Sequence, residues 1–328
     1  MSFHALVAEK VNDNVQVNVK TLTEDDLPEG DVLIRVHYSS VNYKDGLATL
    51  AKGNVVTGYP IVSGIDLAGV IEDSQDNRYQ AGQEVIVTTY DLGVSQHGGY
   101  SEYARVPADW VVPMPTGLDA RSAMIYGTAG FTAASSVNQI EDGGIMPEDG
   151  EVLVTGASGG VGSLAVAMLA KRGFQVTAST GKKEAREELQ ALGVTKIVSR
   201  EDVQPEKIRP LDKGRWAAVV DPVGGQTLAY ALSTTKQHGI VALSGMTGGT
   251  LFKGNVFPFI LRGVQLRGIE TGYLNTEQRQ HIWQRLSSDL YIQDKFTGMV
   301  HEYSLEQLPD AFDTILKAQM RGRAIVKM

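Results

Sequence analysis

The chain has 328 residues, no cysteine, and 30 basic against 38 acidic residues for a formal charge of −8. The missing cysteines exclude disulfide frameworks, thiolate zinc sites, cysteine nucleophiles and cysteine-ligated iron–sulfur clusters. The acidic balance speaks against nucleic-acid binding, which needs a basic face. Hydrophobic residues make up 42% and charged residues 21%, an ordinary globular balance for about two domains. Glycine is abundant, at 36 residues without a fixed period, which points to tight turns and backbone-lined ligand sites. The first residues lack a basic start followed by an apolar run, and no apolar stretch approaches membrane-spanning length. A soluble cytoplasmic protein is expected.

The first part reads as strands. Apolar or alternating runs occupy 3–8, 15–21, 31–39, 69–72, 84–89, 100–106 and 110–113, separated by turn signals such as Pro28-Glu29-Gly30, Ala81-Gly82 and Gly98-Gly99. Their spacing predicts a closed or partly closed antiparallel barrel. The character changes near Ser122. A small-residue, helix-compatible stretch covers 123–137, and from Glu151 strands alternate with helices. Strands are predicted at 152–155, 175–179, 196–199, 216–221, 240–244 and 264–269, and helices at 161–172 and 182–192. Six strands with interposed helices predict an α/β, doubly wound parallel sheet. The terminal run 322–328 is again strand-like and is expected to return to the first domain.

The strongest motif is Val152-Leu153-Val154-Thr155-Gly156-Ala157-Ser158-Gly159-Gly160-Val161-Gly162. It follows a strand and opens a helix, as a dinucleotide loop does, with Ala157, Gly159 and Gly162 in the G-x-G-x-x-G places. Gly159 lets the backbone approach a pyrophosphate, Gly162 allows close helix–strand packing, and the helix start offers free N–H groups. The second strand ends in Ala178-Ser179-Thr180-Gly181-Lys182-Lys183. NAD enzymes place an acid there for the ribose hydroxyls. Hydroxyls and a cation at Ser179, Thr180, Gly181 and Lys182, with Arg200 after the third strand, suit a 2′-phosphate instead. NADP(H) is expected; Lys183 is read as a solvated helix start.

Several segments in register carry a resemblance that spans essentially the whole chain. They are Val41-Asn42-Tyr43-Lys44-Asp45-Gly46, Gly64-Ile65-Asp66-Leu67-Ala68-Gly69, Gly127-Thr128-Ala129-Gly130-Phe131-Thr132-Ala133, the glycine loop and Phe259-Ile260-Leu261-Arg262. Together they resemble the medium-chain dehydrogenase/reductases, in the zinc-free branch of YhdH/YhfP-type quinone oxidoreductases that includes acrylyl-CoA reductase. The resemblance implies a Rossmann doubly wound parallel sheet over 123–295. It implies a β-rich, GroES-like, partly closed barrel over 1–122 and 296–328, and an active site in the cleft between them. Where zinc members of the superfamily place a catalytic cysteine and histidine, this chain has Asn42 and Ile65, and Asp66 stands at the metal-binding glutamate position. A catalytic metal is therefore not expected.

The resemblance also implies contacts. Ser158, Gly159, Gly160 and Val161 line the pyrophosphate, Leu243 and Ser244 meet the nicotinamide or its ribose, and Thr271 touches the cofactor. Thr128 approaches the nicotinamide or serves as a helix cap. Asn42-Tyr43-Lys44-Asp45 faces the nicotinamide: Asn42 donates to a developing oxyanion, Tyr43 donates or stacks on the cofactor, and Asp45 orients its neighbours. Arg262 meets an acidic substrate tail or forms a structural ion pair. Without a Lewis acid the easier reaction is conjugate reduction, with hydride delivered to an enoyl thioester such as acrylyl-CoA, an enone or a quinone, and charge collected on an oxygen by hydrogen-bond donors. Many relatives pair, so a homodimer is expected. Two alternatives remain. A short-chain-type carbonyl reductase fits Thr155-Gly156-x-x-x-Gly160-x-Gly162 and Tyr291-x-x-x-Lys295, but that loop normally opens a chain. A non-enzymatic NADPH-binding structural protein would not need the Asn42–Asp45 segment.

Overall fold

In the computed structural model, which describes residues 1–328, the chain divides into two units. The first comprises Met1–Thr128, Gly272–Ser287 and Val300–Met328; the second comprises Ala129–Thr271 and Ser288–Met299. Gly272–Ser287, which the sequence reading grouped with the dinucleotide domain, lies with the first unit.

Eight strands precede the glycine loop: β1 (Ser2–Val11), β2 (Asn14–Thr23), β3 (Val32–Val41), β4 (Ile61–Val62), β5 (Asp66–Ser74), β6 (Glu84–Thr88), β7 (Tyr103–Val106) and β8 (Val112–Pro113), with helix α1 (Tyr43–Ala48) after β3. β1 pairs antiparallel with all of β2, across a turn where Asn12 takes the left-handed backbone that Asn tolerates (φ 56). β4 joins its other edge. A second sheet runs β8, β6, β5, β3. Leu6 N donates to Tyr100 O, Glu102 N to His4 O, and Val36 N to Glu102 O, so the two sheets are stitched at residues 100–102 into a partly closed barrel. Val32, Ile34, Leu67, Val85, Val87 and Val106 point from successive strands into one core. Each such side chain, fully buried, contributes about 1.5–3 kcal/mol.

Helical structure over α2 (Ala120–Asp142) breaks at Gly127, whose φ of 50 and ψ of −155 are outside helix range. The second unit then follows: β9 (Val152–Val154), α3 (Gly160–Lys171), β10 (Val176–Ser179), α4 (Arg186–Ala191), β11 (Lys196–Val198), β12 (Trp216–Asp221), α5 (Gly225–Thr234), β13 (Thr235–Leu243), α6 (Phe257–Arg262) and β14 (Gln265–Gly268). Its six strands are parallel in the order β11-β10-β9-β12-β13-β14, the doubly wound arrangement expected. β9 and β12 are buried at every residue, as strands covered on both faces must be, and so read as continuous Val/Ala/Leu runs. The helix expected over 182–192 begins as a 3-10 turn, Lys183–Ala185, before α4.

The C-terminal part adds α7 (Thr276–Leu286), α8 (Gln293–Phe296), β15 (Val300–Tyr303), α9 (Leu308–Leu316) and β16 (Arg323–Lys327). β3 divides one edge between two partners. Val32–Arg35 pair with β7, and Tyr38–Val41 pair with β16, so the last strand returns to the first unit as expected. Leu308 and Phe312 of α9 pack with Leu6, Val41, Tyr100 and Val326 in a second core. No helix is long and apolar enough to cross a membrane.

Candidate functional site

In the second unit, the turn from β9 into α3 has the shape of a phosphate cradle. Gly156 is left-handed (φ 53), and a Cβ at Gly162 would lie 2.4 Å from the Gly156 carbonyl oxygen, so the helix start presses on the loop as only glycine permits. The first turn of α3, with Gly159 at its N-cap, presents amides that have no partner within the helix. Ala157 N donates to Ser179 O (2.9 Å), which brings the ends of β9 and β10 together. Ser158 and Thr180 share a hydroxyl–hydroxyl bond of 2.8 Å, Lys182 N donates to the Thr180 hydroxyl (3.1 Å), and the Ser179 hydroxyl donates to Ser199 O (3.2 Å). A Cβ at Gly181 would stand 3.2 Å from Nη2 of Arg200, so the guanidinium lies over the Gly181 backbone. Ser158, Ser179, Thr180, Gly181, Lys182 and Arg200 thus lie together at the ends of β9 and β10. At the ends of β12 and β13, the Thr155 hydroxyl donates to buried Asp221 (2.5 Å), and Ser244 N donates to Asp221 O. The Ser244 hydroxyl is buried with no hydrogen-bond partner. Such an orphan group at a strand's carboxyl end fits a polar ligand, and Leu243 and Ile269 lie at the same strand ends, since Ile269 N bonds Leu243 O, with Thr271 two residues further along the chain.

The first unit is organised around Asp66, fully buried at the start of β5. Its Oδ2 accepts from the Ser40 hydroxyl (2.5 Å), the Asn42 amide (2.7 Å) and Thr128 N (2.9 Å), and its Oδ1 accepts from the Thr128 hydroxyl. A buried carboxylate is tolerated only with its lone pairs filled in this way. Arg323 of β16, 2% exposed, donates to Ser40 Oγ (2.8 Å), Asn42 Oδ1 (3.4 Å), Val41 O (3.2 Å) and Ile125 O (2.9 Å). The Ser40 hydroxyl therefore stands between the two charges. Burial pulls the Arg323 guanidinium below its usual pKa, with the Asp66 charge opposing. A Cβ at Gly127 would lie 2.4 Å from Ser40 Oγ and 2.7 Å from Asp66 Oδ2, so the break in α2 is what lets this network close.

Asn42 is the N-cap of α1, and its amide group bonds to buried Asp66 and Arg323. Asp45 completes the cap. Its Oδ2 accepts Asn42 N (2.8 Å) and its Oδ1 accepts Ile65 N (3.0 Å). Burial first, and the Asp66 carboxylate second, push the Asp45 carboxyl up to about 7, against those donors. Asn42 and Asp45 therefore hold the start of α1, which presents half-buried Tyr43 and exposed Lys44. Thr128 belongs to this network through both its amide and its hydroxyl.

Two sequence readings end differently. The Arg262 guanidinium meets neither a carboxylate nor a ligand site: it donates to the carbonyls of Ser233, Thr235 and Asp212 and so caps the end of α5. Tyr291 accepts at its carbonyl from Lys171, the last residue of α3, a helix of about 18 Å whose first residue borders the glycine loop. That places the Tyr291-x-x-x-Lys295 pattern at the wrong edge of the sheet for the short-chain reading. No group of three His, Asp or Glu side chains is arranged to hold a metal ion. Sequence reasoning did not single out Ser40 and Arg323, nor give Asp66 a role of its own. Their signal is a lone polar residue at the head of an apolar strand, in Asp66-Leu67-Ala68 and Arg323-Ala324-Ile325-Val326.

Residues 28–116 match the alcohol dehydrogenase GroES-like domain family, and residues 160–288 match the zinc-binding dehydrogenase family. YhfP of Bacillus subtilis, whose name assigns it to the quinone oxidoreductases, is 52% identical over 326 residues and 99% of each chain. Its crystal structure with NAD bound superposes over 100% of both chains with a TM-score of 0.97. The acrylyl-CoA reductase AcuI of Ruegeria pomeroyi is 46% identical, over 99% of this chain and 98% of that protein. The yhdH oxidoreductase of Salmonella enterica, solved in complex with NADP, is 43% identical over 100% of both chains, with a TM-score of 0.96.

Gly127→Ala is expected to lower stability by at least about 2 kcal/mol, from a left-handed alanine and its collisions with Ser40 and Asp66, read as a lower thermal midpoint. Asp45 predicts a pH dependence. Below about pH 4 its carboxyl is protonated in folded and unfolded chains alike. Between about 4 and about 7 the unfolded chain releases the proton and the folded chain keeps it, so stability falls as pH rises, by at most about 1.4 kcal/mol per unit. Above about 7 the penalty is constant. Thermal melts of Asp45→Ala across pH 4–8 are expected to show a lower midpoint throughout and a flatter slope in that window.

Proposed function

Because the chain belongs to the zinc-free medium-chain dehydrogenase/reductases of the quinone oxidoreductase and acrylyl-CoA reductase type, we propose that it uses NADPH, without a metal, to reduce an activated carbon–carbon double bond or a quinone. An enoyl thioester of the acrylyl-CoA kind is the acceptor we favour, supported by the 46% identity to AcuI along almost the whole chain. The observation that carries the reading is the state of Asp66. In zinc relatives its position belongs to the metal site. Here its oxygens are taken up by Ser40, Asn42 and Thr128, and its neighbour Ile65 has no ligand atom.

The residues of the second unit fit a phosphorylated dinucleotide. The glycine loop and the start of α3 take the pyrophosphate, Arg200 over Gly181 takes the 2′-phosphate with the Thr180 hydroxyl and Lys182 beside it, and Ser244 offers an unused hydroxyl at the nicotinamide end. Bound NADPH supplies the hydride. In the first unit, Tyr43 donates a hydrogen bond to the acceptor oxygen as it gains negative charge. Asn42 and Asp45 keep Tyr43 at the first position of α1, and their inward bonds make them positioning residues. Protonation of the product is completed by Tyr43 or by water.

We also propose a homodimer in the cytoplasm. Its support is a run of exposed apolar side chains before and within α6, namely Leu251, Val256, Ile260 and Leu261, beside β14, the outer strand of its sheet. Large apolar side chains left exposed in one stretch of chain gain by burial against a partner.

The function is tested by assaying NADPH and NADH with acrylyl-CoA, a simple quinone and a short enone. NADPH with acrylyl-CoA is expected to give the highest kcat/KM; a preference for NADH would sink the cofactor assignment. Arg200→Ala is expected to raise the KM for NADPH about 10- to 100-fold and leave that for NADH unchanged. Tyr43→Phe is expected to cost about 100-fold in kcat with NADPH affinity intact. For assembly, sedimentation velocity should give a dimer for the parent and a monomer for Leu261→Glu.

A further inference from the structure

The turn after β6 contains two consecutive non-glycine residues in left-handed backbone, Thr89 (φ 62) and Tyr90 (φ 50). L side chains disfavour that region, and such strain persists only where neighbours over-determine it. One side chain does most of this. Arg279 of α7, 1% exposed, donates from Nη1 to the Thr88 carbonyl (3.2 Å) and hydroxyl (3.1 Å). Its Nη2 donates to the Thr89 hydroxyl (2.8 Å) and the Gly272 carbonyl (2.9 Å), and its Nε to the Tyr90 hydroxyl (2.9 Å). Its Cζ lies 4.0 Å from the centre of the Tyr90 ring, which also stacks on Trp110 at 5.4 Å and 5°. Three residues in a row are thus gripped by one guanidinium.

The gripped turn leads directly to the segment that carries Tyr43. Thr89 N donates to Ile65 O (2.7 Å), Ile65 N donates to Asp45 Oδ1 (3.0 Å), and Asp45 Oδ2 accepts Asn42 N (2.8 Å). A short chain of hydrogen bonds therefore connects Arg279, on α7, to the N-cap of α1. Burying a guanidinium is costly unless its donors are filled. Here most of the donors named are filled by the turn, whose two consecutive left-handed residues need holding.

We propose that Arg279 is a positioning residue for the acceptor: by locking the left-handed Thr89–Tyr90 turn onto Ile65, it fixes where the Asn42–Asp45 segment presents Tyr43. The proposal rests on the reading that Tyr43 serves the acceptor. A purely structural Arg279 would tie α7 to the fold and affect both substrates alike.

The test uses the full chain with Arg279→Met, Arg279→Lys and a control on the exposed side of α7, Gln280→Ala. Steady-state constants are measured for acrylyl-CoA and for NADPH, and deuterium uptake is followed in peptides covering 42–48, 86–92 and 276–286. Arg279→Met is expected to raise the acceptor KM at least tenfold, keep the NADPH KM within twofold, and speed exchange in 42–48 as well as 86–92. Arg279→Lys should recover part of each change, and Gln280→Ala none should be seen to shift. Faster exchange confined to 276–286, or the two KM values moving together, overturns the proposal. Should Arg279→Met not fold, Thr89→Ala, which removes the hydroxyl that accepts from Nη2 and donates to the Thr88 carbonyl, must show the same pattern at about threefold; its absence overturns the proposal equally. A parent enzyme that reduces none of the acceptors refutes the proposed function, while the exchange at 42–48 still decides whether Arg279 controls that segment.

Discussion

A carboxylate with no access to water has to be answered atom by atom, and the first unit is built as the answer to Asp66. Ser40 comes from the end of β3, Asn42 from the cap of α1, Thr128 from the residue after a broken helix, and Arg323 from β16. They come from three separate stretches of the chain, and β16 reaches the site by pairing with the end of β3. Burial makes the arrangement all-or-nothing, since a single missing donor leaves an uncompensated ion. The conformational specificity of the α1 cap, and through it the presentation of Tyr43, follows from this one requirement.

The second unit solves a different problem, that of holding a ligand's charge rather than its own. It uses backbone more than side chain: a left-handed Gly156, a Gly162 that lets the helix close on the loop, and a Gly181 beneath Arg200. At this site the cationic residues are Arg200 and Lys182, next to Gly181, which agrees with a protein whose overall charge is negative and whose ligand is recognised locally. The contrast between the units is one between fixed internal pairing and pairing left open for a guest.

This contrast explains how much was legible in the sequence. The dinucleotide unit was readable because its constraints are local: glycine spacing, the strand before it, the hydroxyls and lysine at the end of the next strand. Six strands in a doubly wound parallel sheet follow from such short-range signals. The Asp66 network was not readable, because nothing local in Ser40, Gly127 or Arg323 says that they converge. Asn42 shows the difference sharply. Its position in a motif pointed to the reacting centre, and a motif cannot say which way an amide is turned. Arg262 likewise read as a contact for an acidic substrate tail or as a structural ion pair, and it caps α5 instead, since the end of that helix lies far from it in sequence.

The division of the β3 edge between β7 and β16 has a consequence for how the molecule is made. Ser40 emerges from the ribosome 283 residues before Arg323. The intervening parallel sheet has all its strands between residues 152 and 268 and can collapse on its own contacts first. The barrel-like unit must wait with half of an edge unpaired until β16 arrives, a long loop closure that comes late in folding. During that wait Tyr38–Val41 is an open sheet border, the segment most exposed to pairing with the wrong chain. Catalytic competence and protection from aggregation thus arrive together, with β16.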